Sequence, residues 1–324
     1  MAEITAQDYE RNNMTEIKLT EKARYERHRV ARAIRRDLAN INLDNSNRQQ
    51  QSPFFSMLPA ELRFHIFQLV LSQQHDQSRP IDSHSWGPAC RPGHTYHLIV
   101  DINVLLTCRI VYLEAQSIPL RSATHHVQAY RSWHNKRDNW LYHITKQRGA
   151  DLYHLHEYLL SLKTIDMSRF LLPQLKWRRI TWTLWTKFSK LQNMDQTLTE
   201  AFTALVFPES CHEVILEFEF SDAESTQELQ HVFEQFKICR QIALTKADGT
   251  KMKIDNKYSV RYKWTSLSYA RWPMIYSENR PRKIEYNAAR FCWRTGVARR
   301  EYTSYDYLDC LNLTGSVESQ KIWT

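Results

Sequence analysis

The sequence predicts an α+β fold. Helix-period and strand-period segments come in blocks, regular βα alternation is missing, and no internal repeat of fixed period organises the chain. The 324 residues include only six glycines, where an average chain of this length carries roughly 20. They stand at Gly87, Gly93, Gly149, Gly249, Gly296 and Gly315, and no two form G-x-G. Phosphate-cradling loops, dinucleotide folds and nucleophile elbows need glycine where the backbone turns sharply or approaches a ligand. No P-loop, G-x-G-x-x-G or G-x-S-x-G is present. The chain is therefore expected to be no enzyme, with no catalytic, cofactor-binding or metal residue and no cofactor.

Residues 1–52 read as a polar extension, partly disordered, with one basic helix. In EKARYERHRVARAIRRDLANI, Val30, Ile34, Leu38 and Ile41 make a narrow apolar stripe among arginines. A docking helix, a nucleic-acid arm and a nuclear-import signal all fit that pattern. Residues 53–150 form the next region. Leu58-Pro59 opens a helix over 59–72, since proline's missing N–H costs nothing at a helix start. Leu62, Ile66, Leu69 and Val70 recur along it at helical spacing, and Glu61 suits the helix dipole. A turn-rich stretch leads to a strand at 94–100, and Asp101 is placed as N-cap of a helix reaching 117. That helix carries two apolar stripes, one with Leu105, Cys108, Tyr112 and Ala115, the other with Ile102, Leu106, Ile110 and Leu113. Such a helix is expected between layers.

Residues 151–324 are expected to continue as α+β. Helical spacing predicts helices at 151–162, at 173–191 (Trp177, Thr181, Trp185, Phe188) and at 195–206, with a short strand at 163–168. EVILEFEF at 213–220 is the clearest strand. Ser225 and Glu228 form a capping box for a helix through Phe236. Asp248-Gly249 marks a hairpin, and KYSVRYKW and RKIEYNAARFCWR add late strands.

At LPAELRFHIFQLVL (58–71) and LLTCRIVYLEA (105–115) the chain resembles a group of fungal F-box-like proteins of unknown function. Their signature is an L-P-x-E-x-R helix, a strand-forming insert, and a C-R-x-x-Y-x-E-A helix. The clear match covers residues 54–130. The resemblance implies F-box-like helices with a strand insert packed with an antiparallel or mixed sheet and further helices. Authentic F-boxes dock a Skp1-type adaptor and deliver substrates to a cullin ubiquitin ligase. It thus implies a non-catalytic interaction module, partnered by a Skp1-type adaptor and a protein substrate. Leu58, Pro59, Leu62, Ile66 and Leu69 are the docking residues that match the first F-box helix.

Glu61, Arg63, Arg109 and Glu114 form a candidate charge cluster. Charged groups on apolar helices are expensive to bury, so Arg109 is expected to pair with Glu61 or Glu114 as internal structure. His84, Cys90, His94 and His97 are all zinc-capable side chains, but their spacing follows no standard finger. His125, His126, His154 and His156 are read as surface or packing residues. Six scattered cysteines without C-x-x-C give a disulfide framework little support, and the polar N-terminus lacks a signal-peptide core. With no apolar run near the roughly 18–20 residues of a membrane helix, a cytoplasmic or nuclear protein with no membrane partner is expected. The net charge of +9 suits a solvated basic surface or nucleic acid. KYSVRYKWTSLSYARW interleaves aromatics with cations, as a base-stacking sheet face or as packing rimmed by Lys and Arg.

Overall fold

The computed structural model describes residues 23, 25–26, 29–30, 32–34, 36–80, 96–128, 151–159, 167–185, 194–221, 240–268, 282–296 and 318–321. It confirms helices together with a large mixed sheet, and the sheet dominates. The chain divides into two compact units. One comprises Met1–Ile66 and Ile102–Gln116, the other Phe67–Asp101 and Ser117–Thr324. Residues 53–150 contribute to both units.

In the first unit, the described residues from 23 to 39 are helical. Val30 and Ile34 of their apolar stripe are exposed, whereas Leu38 is half-buried. A short helix, α1 (Pro53–Ser56), precedes α2 (Ala60–Val70), with proline at the start of the first as its fixed φ favours. Pro59 lies just before α2 and accepts the Arg63 N–H. The single helix expected up to residue 117 is instead a 3-10 turn at Asn103–Leu106 followed by α3 (Arg109–Ala115). Cys108 breaks it by adopting an extended backbone, φ −160° and ψ 162°. The N-cap of the turn is Ile102 rather than Asp101. Nor is the segment apolar-buried on both sides. Ile102 and Leu106 are exposed, while Ile110, Val111 and Ala115 are buried.

The second unit takes the last residues of α2, from Phe67, and continues into an antiparallel pair, β1 (Gln73–Pro80) and β2 (Tyr96–Val100). Here β1 occupies sequence read as turn-rich. Helix α4 (Ile118–Ser122) leads into β3 (Thr124–Gln128), the first strand of the large sheet. Next come β4 (Asp151–Leu159) and β5 (Lys176–Trp185), with α5 (Met194–Ala204) and the short β6 (Val206–Phe207) after them. The chain continues through β7 (Glu213–Ser221), β8 (Leu244–Lys246), β9 (Lys251–Ile254), β10 (Val260–Ser268), β11 (Arg282–Arg294) and β12 (Glu318–Lys321). Ten strands form the sheet in the order β3-β4-β5-β7-β11-β9-β8-β6, and β10 bridges β11 and β12. The first four pair in parallel, and β11 runs antiparallel to β7, to β9 and to β10.

The helices expected at 151–162 and 173–191 are corrected to β4 and β5 over their described residues. The strand expected at 163–168 is not formed at its described end, where Ser168–Phe170 is a 3-10 turn. The capping box at Ser225 and Glu228 lies outside the described residues. The helix expected at 195–206 is present as α5, and the strand at 213–220 as β7.

Strand alternation gives the sheet two unlike faces. On one, Ile180, Trp182 and Leu184 meet Val214, Leu216 and Phe218 and then Ala289, Phe291 and Trp293 in adjacent register. Leu198, Ala201 and Phe202 of α5 belong to this core, with the Phe202 ring 5.2 Å from Trp293 and 6.2 Å from Trp182. The indole N–H of Trp293 donates to the Ile242 carbonyl and that of Trp177 to the Phe170 carbonyl, so both rings are buried with their polar atoms satisfied. The other face is polar.

Candidate functional site

Two arrangements stand out, one in each unit. In the first, the two sequence motifs are tied together by charge. Arg63, from L-P-x-E-x-R, donates through Nε to Glu114 Oε2 at 3.0 Å and through Nη2 to Oε1 at 2.7 Å. Glu114 is the carboxylate of C-R-x-x-Y-x-E-A. A third Arg63 donor meets the Leu58 carbonyl at 2.7 Å, and the guanidinium lies 5.5 Å from the centroid of the Phe55 ring. Both charged side chains are largely shielded from water, so this two-pronged pair fixes geometry as well as charge.

The expected partner was the wrong arginine. Arg109 is exposed and donates to the Asn45 carbonyl at 2.6 Å. As the first residue of α3, following extended Cys108, it does not continue the face that carries Glu114. Glu61 is exposed in the first turn of α2. Of the cluster Glu61, Arg63, Arg109 and Glu114, the structure joins only Arg63 and Glu114.

The clamp leaves α2 with an unusual surface. Phe67 is its one buried residue. Leu62 is 50% exposed, Ile66 37% and Leu69 76%, and Phe64 and Val70 are exposed too. Pro59 is exposed and Leu58 half-buried. Elsewhere in the first unit, Met57 and Leu106 are more than two-thirds exposed. An amphipathic surface helix ordinarily turns such residues inward, and exposed apolar side chains in number mark a place where another surface binds.

The polar face of the sheet makes the second arrangement. His154 bridges two hydroxyls, with Nδ1 3.1 Å from Thr124 Oγ1 and Nε2 2.8 Å from Thr181 Oγ1. Two residues along, His156 Nε2 lies 2.9 Å from Thr183 Oγ1. Thr183 in turn donates to Glu217 Oε2 at 2.8 Å, and Arg290 Nε donates to Glu217 Oε1 at 2.7 Å. A carboxylate held by arginine accepts only. Thr183 must therefore spend its proton on Glu217 and accept from His156, which fixes the N–H on Nε2. His126, His156 and Tyr158 stack beside this chain, with His156 and Tyr158 centroids 4.6 Å apart.

His154, His156, Thr181, Thr183, Glu217 and Arg290 are all buried. The donor order is that of a proton relay, but its groups are shut away and Arg290 keeps the terminal carboxylate charged. Burial and the facing Arg179 hold the His154 pKa well below the ordinary histidine value. Burial likewise pushes the Cys211 thiol up to about 12 and Cys292 well above its usual range, so neither is a thiolate at neutral pH. What this face does chemically is lock neighbouring strands.

The sequence reads these histidines as surface or packing residues, and the structure buries His154 and His156 within the sheet. The signal was present as alternation: His154, His156 and Tyr158 on β4, Arg179, Thr181 and Thr183 on β5, Glu213, Glu217 and Glu219 on β7. Reading β4 and β5 as helices concealed it.

The remaining candidates are dispersed. His84, Cys90 and His94 lie outside the described residues, and His97 sits on β2 opposite Asp76. Among the described residues no group of three His, Cys, Asp or Glu side chains is placed to hold a metal. In the aromatic basic segment, Trp264 is buried and stacks on Tyr286 at 5.3 Å, while Lys263 pairs with Glu285 at 2.7 Å. These two residues pack and pair within the sheet. Among the described residues no helix is long and apolar enough to cross a membrane. Comparison with models of known families, with curated proteins and with solved structures returns no match.

Proposed function

We propose that the chain is a non-catalytic protein-interaction module whose helix α2 docks a Skp1-type adaptor, as the F-box helix it resembles does. A single observation carries this reading. Along an 11-residue helix only Phe67 is buried, while Leu62, Ile66 and Leu69, which match the F-box docking positions, are exposed. The Arg63–Glu114 clamp supports it by holding α2 without using those side chains. A protein substrate would then be recruited by other surfaces of the chain, for delivery to a ubiquitin ligase.

The test is capture of a purified Skp1-type adaptor by the full chain, set against a Leu62→Asp, Ile66→Asp variant. The parent is expected to form a stoichiometric complex on size exclusion, and the variant to elute alone. A folded parent that ignores the adaptor, or a variant that retains it, overturns the reading.

A further inference from the structure

We propose that β3 and β4 form an acid-sensitive edge of the sheet: charging the histidines that line them opens β3 while the centre, β5-β7-β11, stays closed. Four histidines crowd two adjacent strands. In register, Thr124 faces His154, His125 faces Leu155 and His126 faces His156. The His126 and His156 ring centroids are 5.0 Å apart, and those of His154 and His156 5.9 Å. His125 lies on the opposite face, edge-on to Trp177, with Nε2 donating to the Leu120 carbonyl at 3.3 Å. A proton placed on any one of them raises the cost of the next.

Around His154 the neighbouring cations add to that cost, and the buried carboxylates nearby are Glu157 on β4 and Glu213, Glu217 and Glu219 on β7. Arg179 on β5 and Arg290 on β11 both oppose protonation of His154, as do His125 and His126. Two acidic groups of the polar face, Glu213 and Glu217, are already engaged by arginines. Glu213 on β7 lies 2.6 Å from Arg179 and 3.2 Å from Arg294, and Glu217 holds Arg290 and Thr183. At the start of β4, Asp151 pairs with Arg121 of α4. Tyr158 adds an aromatic wall against His156.

The yielding point follows from topology. Among the described residues β3 pairs only with β4, and it is five residues long. Its outer edge is tied at Thr124, where the Gln73 amide both accepts the Thr124 N–H at 2.9 Å and donates to its carbonyl at 3.1 Å. An edge strand with one neighbour opens at lower cost than strands paired on both sides. The sign is that of histidines depressed on folding. Stability is complete above the unfolded value of 6.5 and is lost as pH falls toward the folded value, which for His125 is about 4.

The experiment is amide hydrogen exchange on the full chain from pH 7 to 4.5, read as protection factors to remove the intrinsic pH dependence. Protection over residues 124–128 is expected to fall roughly 100-fold, about what one such histidine delivers. Protection over 213–221 is expected to hold. Constant protection at 124–128, or a loss simultaneous with 213–221, overturns the proposal. His154→Gln keeps both hydroxyl partners without titrating and is expected to flatten the pH slope. If that variant does not fold, His126→Gln, at a less buried site, serves instead. A slope unchanged from that of the parent in the folded variant also overturns it.

Discussion

At the scale of single residues, Glu217 carries the most consequence on the polar face. It takes the Thr183 hydroxyl on one oxygen and the Arg290 guanidinium on the other, in surroundings from which water is excluded. Removing one member of a buried pair strands the other charge, and that loss exceeds what the pair itself contributes. Glu217→Ala is therefore expected to cost about 3–5 kcal/mol in urea unfolding. Replacing both members, Glu217→Leu with Arg290→Leu, is expected to recover most of it. Equal losses in the single and double variants would show that the pair is not the cause. The other ion pair teaches what sequence can and cannot say. That an arginine of these helices would meet Glu61 or Glu114 was legible from the cost of burying charge. Which arginine was not, because the choice turns on the extended backbone at Cys108, and no local residue preference announces that break.

Among the elements, the legible ones have a single periodicity. EVILEFEF alternates with every second residue apolar, and α5 sets Leu198, Ala201 and Phe202 on one stripe at helical spacing, so both read correctly. β4 and β5 do not, for a physical reason. Trp177, Thr181 and Trp185 are spaced by four, and four is both one helical turn and an even number of strand steps. A strand buried on both faces loses the polar–apolar contrast that would break this tie. The discriminating evidence was composition. Ile180, Thr181, Trp182 and Thr183 are β-branched or aromatic, and such a run favours a pleated strand. The hairpin between β8 and β9 was plain because its turn chemistry is local. Gly249 stands at φ +80°, its N–H donates to the Lys246 carbonyl at 3.0 Å, and Asp248 Oδ1 accepts the Thr250 N–H at 2.9 Å. A Cβ there would meet nothing within 4 Å, so space is not the constraint. Gly249→Ala is expected to cost about 1 kcal/mol from backbone strain alone, measured by thermal melting. Gly249→Asn, which tolerates that φ better, should lose less, and the reverse order would deny the turn its role.

For the whole molecule, stability and docking are assigned to different side chains, and that division can be measured. The large core sits between α5 and one face of the sheet, where Trp182, Phe202, Phe218, Phe291 and Trp293 are all but inaccessible. The apolar residues of α2 contribute little to any interior except through Phe67. Leu62→Asp with Ile66→Asp replaces side chains that already face water, so it should alter stability by about 1 kcal/mol or less, mostly through helix propensity. Phe67→Ala removes a buried ring and should cost about 3–5 kcal/mol. The docking reading thus requires a dissociation of effects. The double aspartate variant melts like the parent yet fails to hold the adaptor, while Phe67→Ala melts far lower. If the aspartates instead lower the melting temperature as much as Phe67→Ala, then Leu62 and Ile66 are part of the packed interior. The exposed face would then lose its standing as a partner surface, and the motif pair would be a device for folding alone.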